Sequence, residues 1–177
     1  SRDKINPDDI ATITTRNKQS RAFALGDAFG DRNLPKLLRC LDEEMWEMQF
    51  DKKKSEIGML YGLITKVRVL IFLKEMINAG WLKPGGDYSR FKTQLERVPA
   101  DALPEDKLNP LSMNPYVLFK ALGQAKNYSS AELVRAMDLL LQCNRALVSS
   151  SLDESLVLQQ ALVKIVNRTS TPQPAMQ

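Results

Sequence analysis

Residues 55–80, SEIGMLYGLITKVRVLIFLKEMINAG, constrain this chain more than any other stretch. Between Met59 and Ile77, 13 of 19 residues are apolar, too many for a single face. Leu60, Leu63, Ile64, Val67, Leu70, Ile71 and Leu73 repeat the i, i+3, i+4, i+7 spacing of a helix. Met59, Tyr61, Val69, Phe72, Met76 and Ile77 carry the apolar surface onto other sides. Such a rod has to be covered from several directions. At 1.5 Å per residue it would be about 40 Å long, the diameter of a domain. Ser55 can cap its start, Glu56 suits the first turn, and Gly80 stands where a left-handed terminal residue is expected. Lys66, Arg68, Lys74 and Glu75 interrupt the run and argue against a bilayer span, since each costs about 2.5–3.5 kcal/mol at the membrane centre.

The segments around it read as shorter helices. Asn6-Pro7-Asp8-Asp9-Ile10 has the marks of a helix start and predicts a short helix to Ile13 or Thr14. Residues 20–29 predict a second, with Phe23, Ala24, Leu25, Ala28 and Phe29 apolar and Gly30-Asp31 ending it. Asn33 opens a third, with Pro35 in its first turn. Its stripe of Leu34, Leu37, Leu38, Leu41, Met45 and Met48 needs a partner. The short Phe50–Lys54 loop predicts that the partner is the central helix, as an αα-hairpin. Lys52-Lys53-Lys54 reads as a solvated loop, and Asp42-Glu43-Glu44 as part of a polar face.

Residues 83–110 differ in kind. Pro84-Gly85-Gly86, Pro99, Pro104 and Pro110 mark an insertion, lid or partner-binding loop, with a helix from Tyr88 to Val98. Asn114-Pro115 starts a helix to Lys126, with Leu118, Ala121, Leu122 and Ala125 on one side. Ser129 and Glu132 form a capping box for a long helix ending near Ser149. Leu133, Met137, Leu140, Cys143 and Leu147 are its inward candidates, and Arg135, Asp138, Gln142 and Arg145 its polar stripe. Ser151 and Glu154 suggest another box, before a last helix that turns Leu158, Ala161, Leu162 and Ile165 inward. Residues 169–177 are polar and read as a frayed tail. No stretch alternates as a strand does. The expected fold class is all-α, a helical bundle of about seven main helices around one long central helix.

Composition narrows the chemistry. Histidine is absent, which removes the commonest general base and metal ligand, so no Ser-His or Cys-His nucleophile can form. Gly85-Gly86 is not followed by the Lys-Ser/Thr pair of a phosphate loop. No catalytic, cofactor-binding or metal residue is assigned. Cys40 and Cys143 lie inside helical patterns and read as buried free thiols, as in a reducing cytosol. Trp46 and Trp81 read as packing at the edge of the core. The net charge of +4 is spread along the chain, and bases are not interleaved with aromatics as on a nucleic-acid stacking platform. The chain opens on Ser1 rather than Met, and the expectation is a piece of something longer.

The order of motifs goes further. FALGDAFGDRNLPKLLRCLDEEM, from Phe23 to Met45, resembles the start of the C-terminal region of the bacterial DNA polymerase III delta subunit, a clamp-loader component. Arg68-Val69-Leu70-Ile71 in the central helix, Asn114-Pro115-Tyr116 and the Ser129 to Leu133 helix opening are similar to that family in sequence order. The likeness covers roughly residues 5–167 apart from 83–110. Asn144, Val148 and Thr65 depart from it where Asp, Lys and Arg are usual, so polar contacts there are not carried over.

The resemblance implies three regions. Residues 1–18 would be the last helix of an ATPase-like middle domain and its connector. Residues 19–168 would be a collar domain holding the 83–110 insertion, and 169–177 a disordered tail. It implies a non-catalytic, cytoplasmic role, holding delta in the complex that loads the sliding clamp on primed DNA during replication. Partners would be the ATP-binding subunit and delta-prime, with the clamp itself met through an N-terminal domain outside this chain. Arg135, Asp138, Gln142 and Arg145 are the candidate subunit interface. The competing readings are a helical DNA-binding transcription regulator and another clamp-loader subunit.

Overall fold

The structure, a computed structural model, describes residues 23–99, 109–149 and 153–167. The expected helix at 5–14, the connector to residue 18, the tail at 169–177 and Ser151 lie outside them. The described residues form seven α-helices and one short 3-10 turn, with no strand. We number them α1 (residues 23–30), α2 (Leu34–Met48), α3 (Glu56–Asn78), α4 (Tyr88–Leu95), α5 (Pro115–Ala125), α6 (Ser130–Ser149) and α7 (Glu154–Val166). The 3-10 turn is Pro110–Ser112.

α3 is the central rod. Its 23 residues start at Ser55, whose side chain accepts the Gly58 amide, and end on Gly80 at φ 77°. The Trp81 and Leu82 amides donate back to the Met76 carbonyl, closing the last turn in the way a left-handed terminal glycine allows. Leu60, Leu63, Val67, Leu70, Leu73 and Met76 are buried along one band, while Val69 and Phe72 are buried off it. That spread over the circumference is why α5, α6 and α7 all pack on α3. Among the described residues no helix is long and apolar enough to cross a membrane.

α2 corrects the expected hairpin. Its backbone runs closest to α7, not to α3. Gln159 of α7 donates to Asp42 of α2 at 3.2 Å across this seam. Leu37 and Leu41 are fully buried, but Cys40 and Glu44 join them, whereas Leu34, Leu38, Met45 and Met48 are only half-buried. The buried face is therefore rotated toward Cys40 and Glu44. An amphipathic stripe states that a partner is needed; it does not say which helix supplies it.

The caps follow side-chain chemistry. Asn33 accepts the Lys36 amide and Asn114 the Tyr116 amide, each just ahead of a proline in the first turn. Ser129 and Glu132 make the reciprocal capping box at 2.7 and 3.1 Å. At α7 the cap is Asp153, which accepts the Leu156 amide. A carboxylate directly before the helix bonds an N-terminal amide and complements the positive helix end, while the box expected from Ser151 falls outside the described residues.

Residues 82–98 are part of the body rather than a free lid. Leu82, Phe91 and Val98 are buried in the common core. α4 ends at Leu95, shorter than expected, and Asp87 caps it. Phe91 meets Phe119 of α5 with ring centroids 5.6 Å apart, and Tyr88 meets Tyr116 and Phe119 edge-on. Two tryptophan and phenylalanine readings are also corrected. Trp46 leaves the core and stands exposed against Phe50, and Phe23 of α1 is exposed too. Both cysteines are free and buried as expected.

Candidate functional site

α6 presents the expected polar stripe. Arg135, Asp138, Gln142 and Arg145 all lie exposed on one face of it. No hydrogen bond or ion pair among the described residues holds any of their side chains. Beside them runs a feature that the sequence reading missed. Val134, Leu141 and Val148 are 56, 44 and 69% exposed, at i, i+7 and i+14. At about 100° per residue the three fall within about 40° of each other, flanking the polar stripe. The inner face of the same helix is satisfied by Leu133, Ala136, Leu140 and Cys143. The outer ridge therefore has no role in this core. Apolar side chains every seven residues supply one of the two heptad positions that a second helix engages in knobs-into-holes packing. The signal was present in the sequence but hidden behind the stronger inward stripe.

The base of α6 is held by Arg32, another residue that the sequence did not single out. Arg32 sits in the turn after α1 at φ 57°, a left-handed conformation uncommon for a residue with a β-carbon. Its side chain is nearly buried and donates three ways. Nε bonds the Val166 carbonyl at 3.0 Å, Nη1 the Asn127 carbonyl at 2.9 Å, and Nη2 the Glu132 carboxylate at 2.6 Å. The guanidinium also lies 4.7 Å from the Tyr128 ring centroid. Tyr128 stacks on Phe29 and donates its hydroxyl to the Phe29 carbonyl at 2.6 Å. The Arg32 hydrogen bond holds the Glu132 carboxyl down to about 2, aided by the Ser129 amide against a burial cost. Burial pushes the Tyr128 phenol well above its ordinary range. This clasp ties the α1–α2 turn to the α5–α6 turn and to the end of α7. It fixes the direction in which α6 projects.

A second polar knot joins α1, α3 and α5. Lys66 donates to Gln124 at 2.6 Å and lies 3.6 Å from the Asp27 carboxylate. Gln124 in turn donates to Asp31 at 2.8 Å, and Lys120 to Asp27 at 3.1 Å. Burial lowers the Lys66 ammonium, while Asp27 opposes that shift and raises Lys120. Next to this knot a groove of about 880 Å³ opens between α1, α2, α3 and α5. At its far end Lys54 is not a solvated loop residue. It bonds Glu44 at 2.8 Å and Glu47 at 2.7 Å. Glu44 is only 6% exposed, which corrects its reading as a polar-face carboxylate, and its Oε1 has no hydrogen-bond partner among the described residues.

Compared with protein-family models, curated proteins and solved structures, the chain matches none. The reading of its function rests on these surfaces and on the order of its sequence motifs. Among the described residues no cluster of three or more His, Cys, Asp or Glu side chains could hold a metal ion.

Proposed function

We propose that this chain is an assembly module, in which the outer face of α6 seats against a helical domain of a sister protein. The observation that carries the reading is the exposed Val134–Leu141–Val148 ridge beside Arg135, Asp138, Gln142 and Arg145. Apolar side chains at the centre of such a contact supply affinity, and the charged flank sets register and rejects wrong partners. The role requires no chemistry at this face. The motif order adds the finer proposal. The module is a collar of the clamp-loader delta type, holding its subunit to the ATP-binding and delta-prime subunits while the sliding clamp is loaded on primed DNA in the cytoplasm.

The test is direct. The full chain is mixed with the ATP-binding and delta-prime subunits of the same organism, and complexes are measured by calorimetry and size-exclusion chromatography. Binding is expected, weakened at least tenfold by Leu141→Asp or by Asp138→Arg with Arg145→Glu. These exposed changes should leave stability within about 0.5 kcal/mol of the parent. Failure to bind either subunit overturns the clamp-loader reading. Full binding by the Leu141→Asp chain overturns the assignment of the face.

A further inference from the structure

We infer that the outer face of α6 also seats a second copy of this chain, with the two α6 helices antiparallel about a two-fold axis next to Leu141. The inference rests on the reading of that face as an interface and adds an occupant to it. Its support is a symmetry in the exposed ridge. Val134 and Val148 stand seven residues to either side of Leu141, and all three are exposed. On one flank of the ridge, Asp138 stands three residues before Leu141 and Arg145 four residues after it, both exposed. At about 100° per residue these two charges fall within about 20° of each other, and about 40–60° from the line of Leu141. Arg135 and Gln142 lie further round the helix and border the seam rather than enter it.

An antiparallel copy matches each feature to its counterpart. With the axis between Leu141 and Gln142, Leu141 meets the copy's Leu141 and Val134 meets the copy's Val148, each within about 1.5 Å along the helix. The same axis sets Asp138 opposite the copy's Arg145, and Arg145 opposite the copy's Asp138, because this operation keeps both charged flanks on one side of the seam. A parallel copy would put the flanks on opposite sides and leave all four charges unpaired. A foreign helix needs no match between the two halves of α6, whereas a self-complementary patch requires one in spacing and in sign. Three apolar side chains per helix make a small seam, so the pairing is reversible and depends on concentration.

Sedimentation equilibrium of the full chain alone, across a range of concentrations, tests the proposal, with circular dichroism as the check on folding. A monomer–dimer equilibrium is expected, weakened at least tenfold by Leu141→Asp. Asp138→Arg alone and Arg145→Glu alone should each weaken it at least tenfold, because each places like charges across the seam. An equimolar mixture of these two single variants should dimerise again, since each then faces an opposite charge at both positions. The double variant Asp138→Arg with Arg145→Glu should also dimerise by itself, although the same double change is expected to weaken binding to the clamp-loader subunits. A parent chain that stays monomeric overturns the self-pairing, and subunit binding by that monomer would leave the assembly face standing. A dimer that survives Leu141→Asp, or single variants whose mixture fails to pair, also overturns the proposal.

Discussion

Glu132 accepts from Arg32 Nη2 at 2.6 Å through one oxygen and from the Ser129 amide at 2.7 Å through the other. One carboxylate thus serves as a cap for α6 and as an anchor for the α1–α2 turn. Its folded-state value of about 2 lies below the ordinary 4.5, so it stabilises the fold fully above pH 4.5. That contribution is lost as pH falls through the folded value. Glu132→Gln should therefore lower stability at neutral pH by about 1–2 kcal/mol, after discounting for the solvent that reaches this side chain. The gap between parent and variant should close as pH falls from 4.5 toward 2, measured by urea unfolding across pH.

Gly30 at the end of α1 leaves no room for a side chain. A β-carbon there would collide with the Gln124 side-chain amide and lie 2.9 Å from Lys66 Cε. Gly30→Ala should displace the amide that links Asp31 to Lys66 and cost about 1–3 kcal/mol, read as a lower urea midpoint. A Gly30→Ala, Gln124→Ala double variant should recover part of the loss, because it removes the atoms in conflict.

Lys54 is the chief electrostatic support of a buried carboxylate. Lys54→Met leaves Glu44 buried without its cation and should cost about 3–5 kcal/mol. Replacing both partners, as Glu44→Leu with Lys54→Met, should cost less than the single change. Thermal unfolding of the two variants side by side checks the order.

Phe91 distinguishes a packed α4 from a lid. It is 3% exposed and contacts Phe119. Phe91→Ala should lower the stability of the whole domain by about 3–5 kcal/mol in a single cooperative transition. A helix that merely covered a surface would melt locally and leave the main transition where it was.

The legible parts of the molecule were the local ones. Leu60, Leu63, Val67 and Leu70 announced the central rod, and Asn33, Ser55, Asn114 and Ser129 announced their helices, because periodicity and capping act within a few residues. Pairings at long range were not legible. Nothing in the Leu37–Leu41 stripe favoured α7 over α3. Nothing near Lys54 in sequence suggested that it leaves solvent to meet Glu44, ten residues earlier. Arg32 was invisible for a different reason. A left-handed turn normally advertises itself through glycine or asparagine, and here an arginine holds that place through its bonds to α6 and α7. The α6 polar stripe was legible, but Val134, Leu141 and Val148 beside it show only once the inner face is known to be filled.

The Arg32 bond to Val166 spans 134 positions. During synthesis the early turn leaves the ribosome long before α7 exists, and its guanidinium meets Asn127 and Glu132 before the Val166 carbonyl is made. The clasp therefore cannot close until α7 has emerged, and the early turn waits 134 residues of synthesis for its last partner.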